Sequence, residues 1–306
     1  MNALVYVESP YQLLNSISYL EEKKCRQTDF FIRDNGSTLQ KKQFETIVNR
    51  HSLVVEYFSV PSRGYFRYLT SVLFILRLIC SIYKYNNLIV GDVRSVILKF
   101  TLPIIERMNI NIILVDDGLY LLSHVKKILH KEYTIFSNLP LNLSMNKDSK
   151  LKYIYSEPKR YNNSEKYGVG FVGMKICEIG FMEFDEYIKV LKNILHKYKS
   201  SSYIYYAHRG ENLNKLKSIS DIGFEVIQPD LPLEEFLIKN PPPKGIYLTF
   251  YSTAIFNMYN MYENCDFIAI KRDLDSWPSQ YREGISLCYK LFNDSGICVK
   301  HINQFD

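Results

Sequence analysis

Apolar residues in the first 136 positions fall into short runs, each followed by a longer stretch of helical periodicity. ALVYVES precedes PYQLLNSISYLEEKK, and DFFIRD precedes a polar helix from Thr38. LVVEYFSV precedes a long apolar stretch, NLIVGD precedes SVILKFTLPIIERM, and NIILVDDG precedes LYLLSHVKKILH. Strands separated by helices of this length need crossover connections, which make the strands parallel and put helices on both faces of the sheet. The strand runs are nearly continuous in apolar residues, as doubly buried strands should be.

From Ser137 to about Lys166 the pattern gives way to Asn, Ser, Lys, Pro and Tyr, with one apolar island at Tyr153-Ile154-Tyr155. Such composition marks a linker or surface excursion. The expected boundary therefore divides residues 1–150 from 151–306. Beyond it the alternation restarts with YGVGFVG, a helix over 184–198, SYIYYAH, a helix after Glu211, FEVI and a short helix from Pro232. GIYLTF, a helix from Ser252, DFIAI and a helix near 281–291 complete the series. The pattern predicts an α/β protein of two doubly wound, Rossmann-like domains facing each other across a cleft.

Composition narrows this picture. With 306 residues, 47% of them hydrophobic, the chain can bury two ordinary cores. The net charge of +6 is scattered among Asp and Glu, so no basic stripe of the nucleic-acid kind forms and no nucleic-acid partner is expected. A mild attraction to anionic membrane surfaces or acidic substrates fits better. Six cysteines lie far apart without a CxxC pair and read as reduced thiols. The amino terminus lacks the features of a signal peptide, so a cytoplasmic protein is expected. Leu69–Tyr85 is short of the ~20 apolar residues of a membrane span and carries Arg77 in its middle. It reads as a buried or interfacial helix, leaving peripheral contact with the inner membrane open, as is a homodimer. The 25 tyrosines receive no functional assignment.

In open α/β sheets ligands bind beyond the carboxyl ends of the strands, where four spots stand out. Asp116-Asp117-Gly118 follows NIILV; one carboxylate can serve as general base while the other is anchored, or the pair can be an ordinary turn. His208, followed by Arg209, ends SYIYYA ahead of a helix and suits an anionic phosphate, with imidazolium, guanidinium and helix N–H groups all favouring negative charge. Ser252-Thr253 opens a helix after GIYLTF and can be a phosphate cradle or a simple N-cap. Glu234, in the segment Gln228–Glu235, can accept hydrogen bonds from ribose hydroxyls or merely favour a helix dipole.

Taken in order, these pieces resemble the bacterial lipooligosaccharide sialyltransferases, glycosyltransferase family 52, almost from end to end. Glu8-Ser9-Pro10-Tyr11-Gln12-Leu13 resembles the family's opening segment beside the acceptor, which implies acceptor-side roles for Ser9, Pro10, Tyr11 and Gln12. Asp116-Asp117-Gly118 matches the acidic motif whose second member is the general base, here Asp117. Phe171-Val172-Gly173 resembles the first strand and turn of the nucleotide domain, placing Gly173 beside the donor. His208 stands where the family has its His-Pro motif, which contacts the CMP phosphate. Leu231-Pro232-Leu233-Glu234 resembles the ribose loop, and Tyr251-Ser252-Thr253-Ala254 the phosphate-binding pair. Arg209 replaces the family's proline and could reach the donor carboxylate, so pseudaminic or legionaminic acid donors stay beside N-acetylneuraminic acid.

The resemblance implies a GT-B fold and an inverting transfer from a CMP-nonulosonate donor to a glycan acceptor of capsule or lipooligosaccharide. Asp117 would deprotonate the acceptor, and His208, Arg209, Ser252 and Thr253 would neutralise the departing phosphate without a metal. Asp273-Leu274-Asp275 formally fits a metal-binding DxD motif but reads as a surface loop. The competing readings are a GT-B transferase using Kdo or a polyol phosphate, and a non-catalytic nucleotide- or glycan-binding protein.

Overall fold

The computed structural model describes residues 1–34, 36–59, 65–92, 95–116, 118, 131–139 and 152–305, and of 65–69 the backbone alone. The chain forms two compact units, residues 1–117 with 124–157, and residues 118–123 with 158–306.

The first unit is built on a parallel sheet of seven strands. They are β1 (Asn2–Val7), β2 (Gln27–Asp34), β3 (Val55–Ser59), β4 (Asn87–Val90), β5 (Asn111–Val115), β6 (Tyr133–Ser137) and β7 (Lys152–Tyr155). Their order is β3-β2-β1-β4-β5-β6-β7. Val5 of the central strand stands opposite Phe30 on one side and Ile89 on the other. Helix α1 (Pro10–Glu22) starts where Ser9, in extended conformation, accepts a hydrogen bond from the Gln12 N–H and Pro10 supplies a preset φ at the first turn. It buries Leu13, Ile17 and Leu20 at helical spacing. Helix α2 (Thr38–Arg50) is capped by Ser37 in the same way and buries Phe44 and Ile47.

Helix α3 (Tyr65–Ile82) holds the apolar stretch singled out in the sequence. Phe74, Leu78 and Ile82 form its buried stripe, whereas Val72, Leu73 and Leu76 are 52–57% exposed. The helix is therefore two-faced, and no helix among the described residues is long and apolar enough to cross a membrane. Helix α4 (Val96–Ile105) packs beside it.

The second unit repeats the plan with β8 (Ser164–Val172), α5 (Phe184–Lys197), β9 (Tyr203–Tyr206), α6 (Leu213–Asp221), β10 (Glu225–Ile227), α7 (Leu233–Lys239) and β11 (Pro243–Thr249). It continues through α8 (Thr253–Met261), β12 (Cys265–Lys271), α9 (Ser279–Asp294) and β13 (Cys298–His301). The parallel order is β10-β9-β8-β11-β12-β13. Tyr187, Val190, Leu191 and Ile194 of α5 bury against Phe171, Tyr205 and Phe250. In both sheets the chain reverses its direction of strand addition once, between β1 and β4 and between β8 and β11. Those are the switch points where a doubly wound sheet opens a crevice.

Three strands escape the sequence pattern: β6, β7 and β13. β7 pairs with β6, Ile154 opposite Phe136, so the first sheet continues past residue 150 into the stretch read as linker and as second domain. Both β7 and β13 are four-residue edge strands with side chains partly or fully exposed, so neither carries the apolar run that marks a doubly buried strand. The stretch LYLLSHVKKILH and Asp117 lie outside the described residues.

Candidate functional site

At the carboxyl end of β5, Asp116 is 1% exposed. Its Oδ2 accepts from Ser137 Oγ at 2.7 Å, and its carbonyl accepts from Asn15 Nδ2 at 3.0 Å. Asp116 is thus the anchored acid of the pair. Gly118 has φ +78°, in the left-handed region that the expected tight turn requires of a glycine. Asp117, the expected base between them, falls outside the described residues.

The loop after β1 is organised around Glu8, which sequence reasoning quoted but gave no role. Its carboxylate accepts from the Tyr6 and Ser95 hydroxyls and pairs with Arg33 Nη1 at 2.8 Å. Its N–H donates to Gln12 Oε1 at 2.7 Å, and its carbonyl accepts from Gln40 Nε2 at 2.6 Å. Gln12 is 2% exposed and lies so close to Gly91, at the end of β4, that a Cβ there would fall 2.1 Å from its Cδ. Of the four acceptor-side residues, Ser9 caps α1, Pro10 opens it and Gln12 braces the β1–β4 switch, while Tyr11 remains partly exposed. The missed signal is Gly91 directly after a buried strand, where a side chain cannot be accommodated.

In the second unit His208 follows β9 and begins a turn that ends at Glu211, whose N–H donates to the His208 carbonyl at 3.0 Å. The Gly210 N–H donates to His208 Nδ1 at 3.0 Å. An N–H can only donate, so Nδ1 carries no proton and Nε2 does. Burial, then Arg209, Lys175 and Lys215, hold the imidazole at about 3, far below its usual value, so it is neutral. The imidazolium expected from the sequence is therefore corrected to a neutral ring, because burial and the nearby positive charges disfavour a second proton and Nδ1 already accepts from Gly210.

Glu211 is 7% exposed. Its Oε2 accepts from the His208 N–H at 2.6 Å, and its Oε1 takes the Tyr205 hydroxyl at 2.6 Å and Lys215 Nζ at 2.7 Å. Burial pushes the carboxyl up while Lys215 and these donors oppose the rise. Gly173, at the end of β8, is pressed against this group: a Cβ would fall 2.5 Å from Glu211 Oε2 and 2.6 Å from the Tyr205 hydroxyl.

Glu234, in the first turn of α7, accepts from Asn257 Nδ2 of α8 at 2.6 Å, and burial raises its carboxyl above the usual range. Arg209 is close enough to His208 and Glu234 to bias the charge state of both. Ser252 is the N-cap of α8, its Oγ accepting from the Ala254 N–H at 3.3 Å, and Thr253 is the first residue of that helix. Gly173 and Ser252-Thr253 therefore follow β8 and β11, the strands flanking the switch point, and His208 follows β9, the next strand beyond β8. Asp273 pairs with His301 at 3.3 Å and Asp275 with Arg282 at 3.0 Å, both acids at least 82% exposed, as a surface loop should be. Among the described residues no group of three or more His, Cys, Asp or Glu could hold a metal ion.

No family model matches the chain, so the expected membership of glycosyltransferase family 52 is not supported, and the sialyltransferase relative described below belongs to a different family. Solved structures align with nearly all of it. Acinetobacter baumannii MurG covers 99% of this chain and 87% of its own at a TM-score of 0.55, with 6% identity. Anabaena HepE, in complex with UDP and glucose, covers 96% and 91% at a TM-score of 0.55, with 11% identity.

The fold is GT-B.

At these identities the likeness is one of fold alone. A sequence relative is the CMP-N-acetylneuraminate:beta-galactoside alpha-2,3-sialyltransferase of Pasteurella multocida (strain Pm70), 22% identical over 200 residues. That match spans 65% of this chain and 58% of the relative. The GT-B chain described here thus carries its expected donor-side residues at the carboxyl ends of the second sheet, where such a fold opens its crevice.

Proposed function

We propose that this GT-B chain is an inverting glycosyltransferase that moves sialic acid or a related nonulosonic acid from a CMP-activated donor to a bacterial surface glycan. The observation that carries the reading is the second unit's strand-end group: His208, whose Nδ1 is taken by the Gly210 N–H so that Nε2–H is left to donate, next to Arg209, with Glu234 held by Asn257. A neutral Nε2–H donates to a phosphate oxygen, the guanidinium supplies the positive charge, and Glu234, steadied by Asn257, accepts from ribose hydroxyls. Ser252 and Thr253, at the positive amino end of α8, add donors on the β11 side. The distant likeness to a sialyltransferase supports CMP as the nucleotide and a nine-carbon sugar as the cargo.

In this reading Asp117 removes the proton from the acceptor hydroxyl, which attacks the anomeric carbon as the bond to the CMP phosphate breaks. Charge grows on the leaving phosphate, so His208, Arg209, Ser252 and Thr253 stabilise the transition state more than the ground state. Asp116, held by Ser137 and Asn15, keeps the acidic turn in place. Arg209 in place of the family's proline is the residue that would meet the donor carboxylate, which keeps pseudaminic and legionaminic acids among the donors to be tried.

Peripheral contact with the cytoplasmic face of a membrane belongs to the same proposal. It is supported by the exposed apolar face of α3 and α4, which includes Leu73, Leu76 and Phe100, and by the neighbouring cations Arg77, Lys84 and Lys99.

Thermal melting with free nucleotides tests the donor assignment. CMP should raise the melting temperature through binding to the native state, while UDP and GDP should not. Asp117→Asn should keep that shift and lose transfer. Turnover retained in that variant would remove the base assignment.

A further inference from the structure

The turn His208-Arg209-Gly210-Glu211 lies just before α6 and its cap Asn212, and a reciprocal pair of hydrogen bonds closes it. The His208 side chain accepts the Gly210 N–H, and the Glu211 carboxylate reaches back to the His208 N–H, a pairing like that of a capping box but made in a turn. Arg209 then occupies the second position of the turn. Proline favours that position because its fixed φ suits it. A proline and an arginine are thus both compatible with the same turn.

The Glu211 carboxylate in this turn is also held from behind. Lys215 Nζ binds Glu211 Oε1, the Met174 carbonyl at 2.9 Å and Glu178 Oε2 at 3.4 Å, and lies 4.1 Å from the centre of the Tyr187 ring. Tyr187 and Tyr205 share a hydrogen bond of 2.6 Å, and Tyr205 donates onward to Glu211. One ammonium group therefore ties the loop after β8, through Met174, to the loop after β9, through Glu211. The side chains of Lys215 and Glu211 are 4% and 0% exposed, so the pair is shielded from salt and water.

We propose that Glu211, held by Lys215 and Tyr205, is a positioning residue that locks the His208 ring as its Nε2–H tautomer, making it a fixed single donor for a phosphate oxygen. The identity of that oxygen rests on the functional reading above; the locking itself does not. Neither Glu211 nor Lys215 need touch substrate. The charged groups facing the ring are Arg209, Lys175 and Lys215, all cationic, which disfavour a second ring proton, and Glu211 spends its carboxylate on the backbone instead. Gly173 is part of the device, since any larger residue would push into Glu211 and Tyr205.

The test is a long-range proton–nitrogen correlation spectrum of the full chain labelled with 15N-histidine, the His208 signals being those that vanish in His208→Asn. The wild type should show a protonated Nε2 and a bare Nδ1 that do not titrate between about pH 5 and 8, where an ordinary histidine does. Glu211→Ala should bring tautomer exchange and titration into that window, and Glu211→Gln, which keeps an acceptor oxygen, should restore the fixed tautomer. A wild-type ring that titrates near the ordinary value overturns the proposal even if Glu211→Ala does not fold. So does a Glu211→Ala spectrum unchanged from wild type. CMP binding is read separately by calorimetry, with about a tenfold loss expected in Glu211→Ala and a much smaller one in Glu211→Gln. A locked ring in a protein that ignores CMP would leave the positioning role standing and remove the donor assignment.

Discussion

His208 combines two tasks that substitutions can separate. In its turn it needs an acceptor at Nδ1, and as a ligand group it needs a donor at Nε2. Asparagine offers the first and does not reach to the second. His208→Asn should therefore keep its thermal stability close to wild type, whereas His208→Ala should lose about 1 kcal/mol, the ordinary net worth of one hydrogen bond; both should bind CMP more weakly. Equal destabilisation of the two variants would contradict the turn-closing role of Nδ1. The low value of the imidazole also fixes the sign of a pH effect. Between about pH 3 and the unfolded histidine value near 6.5, the unfolded chain binds a proton that the native chain refuses, so stability falls as pH drops through that window. Differential melting of wild type and His208→Asn should show the wild type losing more stability from about pH 6.5 to 4.5. Parallel curves would mean that the ring is not buried in its neutral form. At this scale the sequence was partly readable. The strand-end position of His208 followed from an apolar run, but its protonation state depends on Gly210, Lys175 and Lys215, which no pattern at His208 reveals. Glu211 marked only the approach of a helix in the sequence, and its hold on the His208 N–H shows only in the structure.

Elements followed the hydrophobic pattern at the strands buried on both faces, β6 excepted. The runs NLIV and YIYY are such strands, and the sequence placed them within about two residues. The edge strands β7 and β13 carried too weak a signal, so β7 read as an apolar island in a linker and β13 was not read at all. Periodicity also separated the two faces of α3 only in part. It exposed the apolar character of the helix without saying which residues Phe74 and Leu78 would leave uncovered. The uncovered face carries the membrane proposal, and it is testable on its own. Leu73→Glu with Leu76→Glu should abolish flotation with vesicles rich in phosphatidylglycerol and leave nucleotide binding intact. Flotation should be weak on purely zwitterionic vesicles, because scattered cations supply part of the attraction. Undiminished flotation of the double variant would exclude this face.

For the whole molecule, the doubly wound plan was legible twice over because both halves repeat the same alternation of buried strand and covering helix. The same strand order with one reversal recurs in both sheets, and it sets the polar residues of each half at the carboxyl ends of their strands. What the pattern could not supply is the chemistry of the donor, since many nucleotide sugars suit a GT-B fold. That choice rests on His208, Arg209, Glu234 and the distant sialyltransferase likeness. The most direct measurement is mass spectrometry of the purified protein incubated with a glycan acceptor and a panel of CMP-activated nine-carbon sugars, beside UDP-sugar controls. The account predicts an acceptor heavier by one nonulosonate and an equal amount of released CMP, both lost in Asp117→Asn. Transfer from a UDP-sugar, with every CMP donor left intact, would contradict it.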